Sequence, residues 1–325
     1  MKNLIRFFKI SALLITLVIG GLFVAGYGHI PELGLKALQM GRATAGLEDY
    51  LHFSVREIPK SDTSNPWPTH EQYNKVVPTQ KLASLHKAHG TVAFLIIKND
   101  SVWHEQYFDG FNDSSKTNSF SMVKTIVAAT LAKAIEEGYV KSFDQKVKDF
   151  LPWLKGPYAD EVSVGNLATM SSGLDWKEDY DNLFTITPRT YITRNITRVM
   201  KTLPIVDEPG KRFQYQSGST QLLSLALTAA TGESISDLVH RYFWNPLGAQ
   251  ANAVWRLDSK KRGVEKSYCC FNSNARDFAR FAALFKNNGV WNGEQLIDTD
   301  YVKNSIHPQF ENGADYGYGW WLGTH

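Results

Sequence analysis

Apolar residues dominate one stretch of this chain more than any other. Positions 122, 123, 126, 127, 128, 131, 132 and 135 are apolar, and Gly138 closes the run. Almost every face of such a helix is covered, so the pattern predicts an internal helix. Upstream, residues 91–98 (TVAFLIIK) are rich in β-branched side chains and read as a strand. Asn99-Asp100 is a turn signal, and residues 101–108 read as the returning strand. A polar stretch, residues 112–119, leads from this hairpin into the internal helix.

From residue 139 to about 286 the spacing is mostly helical. Residues 162–170, 188–203, 220–230, 234–244 and 274–287 each carry a helical pattern. Gly232, Asn245-Pro246 and Gly289 punctuate the later ones. Residues 316–322 (YGYGWWL) read as a late strand. Hairpin, buried helix, helical block and late strand make an α+β arrangement whose antiparallel sheet is assembled from both ends of the chain. Prolines 31, 59, 66 and 68 punctuate residues 29–84, which read as a leader wrapping a domain at 85–325. The helical subdomain of that domain spans about 140–286.

Lys2, Arg6 and Lys9 precede an apolar run at 10–25. A basic flank followed by an apolar segment of this length is a signal peptide or a membrane anchor. A clear small-residue cleavage site is missing, which favours an uncleaved anchor over residues 1–28, with a cleaved signal as the alternative. Either predicts an exported protein, periplasmic or facing the outside of the inner membrane.

Bulk composition narrows the partners. The 325 residues carry a net charge of +3, with 21% charged and 13% aromatic residues. No long block of like charge points to nucleic acid, and Lys260-Lys261-Arg262 reads as a short solvated loop. Cys269 and Cys270 are adjacent and have no metal-ligand spacing. Neighbouring cysteines rarely bridge each other, so they read as small core residues. No dinucleotide fingerprint or phosphate loop is present, so no metal and no cofactor is expected.

The internal helix begins with chemistry. Ser121-Met122-Val123-Lys124 sets a hydroxyl and an amine on one helix face. A lysine in the first turn of a buried helix is costly without a role, and desolvation can turn it into a neutral base. A second copy of the spacing, Ser84-Leu85-His86-Lys87, lies in a polar amphipathic stretch and reads as helical surface. Tyr215, in Phe213-Gln214-Tyr215-Gln216-Ser217-Gly218, is the candidate proton relay; its alternative is a buried tyrosine capping a loop. Trp176, Tyr180, Trp320 and Trp321 are either core or pocket wall.

These blocks resemble the serine hydrolases of the class C β-lactamase and penicillin-binding type. The matching residues are Ser121-x-x-Lys124, Leu167-Ala168-Thr169-Met170-Ser171-Ser172-Gly173-Leu174, and Tyr215-x-Ser217 leading into Gln221-Leu222-Leu223. Asn274 to Phe281 and Tyr316 to Trp321 complete the ordered set, and the resemblance runs from about residue 85 to the end. It implies a β-lactamase/transpeptidase-like fold: an antiparallel sheet flanked by helices, with a mostly helical subdomain. It implies Ser121 as acylated nucleophile, Lys124 as its base and Tyr215 as proton relay. Ser217 stands where the common Tyr-x-Asn pattern has Asn, which resembles the branch of 6-aminohexanoate-dimer hydrolase and related esterases. Ser217 and Trp176 are the expected substrate-binding residues. Family members carry a third motif, Lys/His-x-Gly, on a strand after the YGYGWW-type segment. By the resemblance, this chain stops before that strand, so the sheet is expected to be incomplete at its C-terminal side. The expected function is cleavage of small esters or amides through an acyl-enzyme. The alternatives are a β-lactamase or D,D-peptidase, and a membrane-tethered binding or sensor protein of the same fold.

Overall fold

The computed structural model describes residues 1–310 and 315–323. The first apolar run forms α1 (Lys2–Val24), which is long and apolar enough to cross a membrane and has no buried residue. A short turn leads into α2 (His29–Met40), ended by Gly41 in the left-handed region. The leader then supplies β1 (Val55–Ile58). Next comes α3 (Gln80–His89), where the Thr79 side chain accepts from the Leu82 N–H. Ser84 and Lys87 lie on its exposed side.

The hairpin forms as its pattern predicts, from β2 (Ala93–Lys98) and β3 (Ser101–Tyr107), with Lys98 opposite Ser101. Asn99 and Asp100 both take positive φ, the requirement of a tight hairpin turn. Then β4 (Thr117–Asn118) and a 3₁₀ turn (Phe120–Met122) deliver the chain to α4 (Val123–Glu136). Every residue of α4 from Val123 to Ala132 is buried.

The segment read as helical holds α5 (Val164–Ala168), α6 (Ile186–Ile192), α7 (Ile196–Met200), α8 (Ser217–Thr231) and α9 (Ile235–Val239). The single helix expected over 188–203 is two, because Thr193 leaves helical geometry and Asn195 caps a new start by accepting from the Arg198 N–H. Two strands also lie in this segment, β5 (Ala253–Arg256) and β6 (Phe271–Ser273). The chain then runs through α10 (Ala275–Lys286), the small hairpin of β7 (Val290–Trp291) and β8 (Glu294–Gln295), and α11 (Thr299–Ser305).

The sheet order is β1-β5-β6-β4, antiparallel throughout. The leader and the middle of the chain supply it, rather than the two ends, and the sheet is not closed. The core beneath it is built from α4, α8 and α9 with Trp244, Trp255 and Phe271.

The structure also departs from the sequence pattern at the cysteine pair and at residues 316–322. Cys269 and Cys270 are core residues but not separate ones: a disulfide joins them. Cys270 takes φ +70, and that left-handed turn feeds the chain into β6. Residues 316–322 form no strand. Only a bridge between Tyr316 and Trp321 is present, because the segment folds back on itself at Gly319, whose φ is +80, and the Gly317 N–H donates to the Trp320 carbonyl.

That turn seats on α4. The Thr125 hydroxyl donates to the Gly319 carbonyl at 2.8 Å. Gly319 has φ +80, and a Cβ there would meet Thr125 Cα at 2.8 Å. Gly319→Ala should therefore lower stability by about 1–3 kcal/mol through backbone strain and a contact with no room to relax. The shift of the urea unfolding midpoint measures it, and an unchanged midpoint would show that the turn does not bear on α4.

Candidate active site

Pairing of two very short strands builds the site. Thr117 and Asn118 lie opposite Ser273 and Asn272. β4 ends just before Ser121, and β6 begins just after Tyr268, so their pairing brings the serine turn and the Tyr268 carbonyl together. Asn118 ties the two segments: its Oδ1 accepts from the Phe120 N–H at 2.9 Å and from the Cys270 N–H at 3.1 Å. The Ser119 N–H donates to the Phe271 carbonyl at 2.8 Å. Phe120 takes φ +44, an uncommon conformation for a side chain of its size, immediately before the serine. Strain of this kind is held only where the surroundings fix it.

Lys124 lies in the first turn of α4 and is 2% exposed. Its Nζ is 2.8 Å from Ser121 Oγ and donates at 2.8 Å to the Tyr268 carbonyl. The Tyr215 ring centroid lies 5.0 Å from the same nitrogen. Burial is the largest influence on the amine and brings its pKa down to about 7, with the Glu178 charge opposing the drop. Burial likewise pushes the Tyr215 phenol up to about 12, while hydrogen bonding with Ser121 acts the other way.

Tyr215 ends the loop before α8. Trp321 lies over it, with ring centroids 5.3 Å apart, and is 60% exposed, so it forms an outer wall of the site. Trp320 turns the other way, onto Phe285. The two tryptophans, adjacent in sequence, therefore do different things.

Ser217 and Trp176 meet on one carboxylate. Glu178 accepts from Trp176 Nε1 at 2.7 Å, from the Ser217 N–H at 2.7 Å and from Ser217 Oγ at 2.8 Å. Both donors are almost fully buried. Gly218 allows this closeness, since a Cβ there would meet the Trp176 ring at 2.5 Å. The three residues read from sequence as chemical, Ser121, Lys124 and Tyr215, thus converge. Three contributors carry weaker signals. Glu178 is one of several loop carboxylates, Asn118 is a lone polar residue, and the Tyr268 carbonyl is main chain.

A family model described as beta-lactamase matches residues 79–325. The 6-aminohexanoate-dimer hydrolase of Paenarthrobacter ureafaciens is 25% identical over 231 residues, which cover 66% of this chain and 57% of that protein. The chain thus spans little more than half the length of that curated relative. Among solved structures, a Bacillus anthracis protein assigned as a 6-aminohexanoate-dimer hydrolase superposes with a TM-score of 0.73 at 21% identity, over 84% of this chain and 79% of that one. The octameric penicillin-binding protein homologue from Pyrococcus abyssi gives 0.59 at 19% identity, over 74% of this chain and 63% of that one. These two are likenesses of fold. The family match starts at the cap of α3 and covers the rest of the chain from there, and on that extent the chain belongs to the beta-lactamase family.

Proposed function

We propose that this chain is an exported serine hydrolase, held at a membrane by α1, that cleaves small amides or esters through an acyl-enzyme on Ser121. One observation carries the reading: a buried lysine amine, its pKa brought down to about 7, lies 2.8 Å from a serine hydroxyl. A neutral amine in that place is a base for the hydroxyl proton. The Tyr268 carbonyl accepts one N–H of the amine, which leaves the lone pair of the neutral form free for Ser121.

Ser121 Oγ attacks the substrate carbonyl carbon while its proton passes to Lys124 Nζ. The oxyanion collapses and the bond to the leaving group breaks. The leaving nitrogen or oxygen takes a proton from the Tyr215 phenol, which is replenished from the Lys124 ammonium. Water then attacks the acyl carbon and gives its proton to Lys124 by the same route. The bond to Ser121 breaks and Oγ recovers its proton. Trp321 shields one side of this path, and Ser217 and Trp176, the residues expected to bind substrate, instead hold the Glu178 carboxylate whose charge bears on Lys124.

The relatives named as 6-aminohexanoate-dimer hydrolases support an amide-type substrate. The Ser217 environment weighs against a β-lactam. The side-chain amide expected at that position is absent, and both the hydroxyl and the N–H of Ser217 are taken by Glu178. A binding protein without turnover would gain nothing from a lysine kept close to neutrality.

Ser121→Ala should abolish both fluorophosphonate labelling and p-nitrophenyl butyrate turnover, while Ser84→Ala leaves both unchanged. Lys124→Ala should cost about 10²–10⁴-fold in kcat/KM. Labelling retained in Ser121→Ala would place the nucleophile elsewhere.

The pH profile tests the base. The neutral form of Lys124 is the active one, so kcat/KM should fall on the acid side of an apparent pKa of about 7 and level off above it. Glu178 holds that value up, so Glu178→Gln should move the acid limb to lower pH. A limb that stays in place would remove Glu178 from the electrostatics of the base.

A further inference from the structure

Two clefts, the first of them beside α2, are walled by the segments 192–201 and 256–264. One, of about 680 Å³, lies among α2, residues 192–194 and residues 256–260, and is lined by Lys36, Arg194 and Lys260. The other, of about 560 Å³, continues along both segments and is lined by Arg198, Lys201, Lys261 and Arg262. Arg194, Arg198, Lys201, Lys260, Lys261 and Arg262 are exposed, and among the described residues none of the six pairs with a carboxylate.

Two acids lie in the walls of the first cleft. Asp258 is buried and accepts the N–H groups of Ser259, Ile196 and Val264. Glu32, on α2, also lines the first cleft. Beneath the floor, Arg256 is 1% exposed and stacks between Phe53 and Tyr191, adding charge from below. The whole chain carries only +3, so this face is a local concentration of positive charge.

The rim of the same face is apolar. Leu35, Leu38 and Leu51 are each more than 60% exposed, and Leu35 and Leu51 line the first cleft. Exposed leucines beside unpaired cations match a bilayer interface, where acyl chains meet charged headgroups. Position supplies the rest. The wall carrying Leu35 and Lys36 is a 12-residue helix, about 18 Å long, that follows the end of α1 after a short turn.

We infer that this basic face docks on anionic phospholipid headgroups of the membrane that holds α1, as a second attachment that sets the orientation of the domain on the bilayer. The inference rests on α1 being a membrane anchor but not on the catalytic reading. A soluble polyanion would be met by charge alone; the exposed leucines and the continuity with α1 favour the bilayer.

The full chain should be reconstituted with phosphatidylcholine vesicles and with vesicles that also contain phosphatidylglycerol, then followed by flotation and amide hydrogen exchange. It should float with both. Residues 194–201 and 258–262 should exchange about fivefold more slowly on the anionic vesicles, and high salt should reverse this. Lys260→Glu/Lys261→Glu/Arg262→Glu should lose the added protection while keeping p-nitrophenyl butyrate turnover. The milder Arg198→Gln/Lys201→Gln should lose part of it. Flotation with equal exchange on the two vesicle types overturns the inference alone. Flotation with neither overturns the anchor and this face with it. Equal protection by inorganic phosphate on neutral vesicles overturns it in favour of a soluble-anion site.

Discussion

Burying the amine of Lys124 is the constraint around which the rest of the site is arranged. An ammonium loses most of its hydration inside a protein, and the group responds by giving up its proton more easily. A carboxylate in direct contact would reverse that and hold the charge in place. Among the described residues none makes an ion pair with Lys124; its partners are a carbonyl and a hydroxyl. Glu178 acts on the amine only through space, and its own oxygens are occupied by Ser217 and Trp176. The near-neutral amine thus depends on where its acceptor sits. That acceptor is main chain, placed by the pairing of β4 with β6 and tied to the serine turn through Asn118.

The same dry surroundings act on Tyr215 in the opposite chemical sense. Desolvation drives the lysine toward its neutral base and keeps the phenol in its neutral acid. One physical cause therefore favours the uncharged form of both groups beside Ser121, as the proposed base and acid roles require. Opposed pKa shifts in neighbouring groups are how acid and base roles are divided at a single pH. Apolar α4 supplies one wall of this environment, and the turn around Gly319 closes against its first turn through Thr125.

Elements whose signals are local were legible in the sequence. The Asn99-Asp100 hairpin, the buried helix after Ser121, the Gly232 stop of α8 and the Asn274 start of α10 each rest on turn, cap or periodicity within a few residues. Strands of two to four residues, such as β4, β5 and β6, are too short to show a period. The aromatic segment 316–322 has a strand's composition, yet Gly319 at positive φ makes it a turn. In the site, side chains with unusual surroundings were visible: a serine and a lysine opening an apolar helix, and a tyrosine ahead of α8. The Tyr268 carbonyl has no residue signature at all. Glu178 is distinguished from Asp175 and Asp179 only by the donors that the fold brings to it.

Glu178 also joins the site to the start of the chain. The loop it begins runs through Leu183 and Phe184 into α6. At its near end it is fixed by Ser217 and Trp176. At its far end the Leu183 carbonyl accepts from His29 Nε2 at 2.8 Å, and Phe184 meets the Tyr27 ring edge-on at 5.0 Å. Tyr27 and His29 flank the turn between α1 and α2. The carboxylate beside Lys124 is thus linked through one loop to Tyr27 and His29, the residues that follow α1.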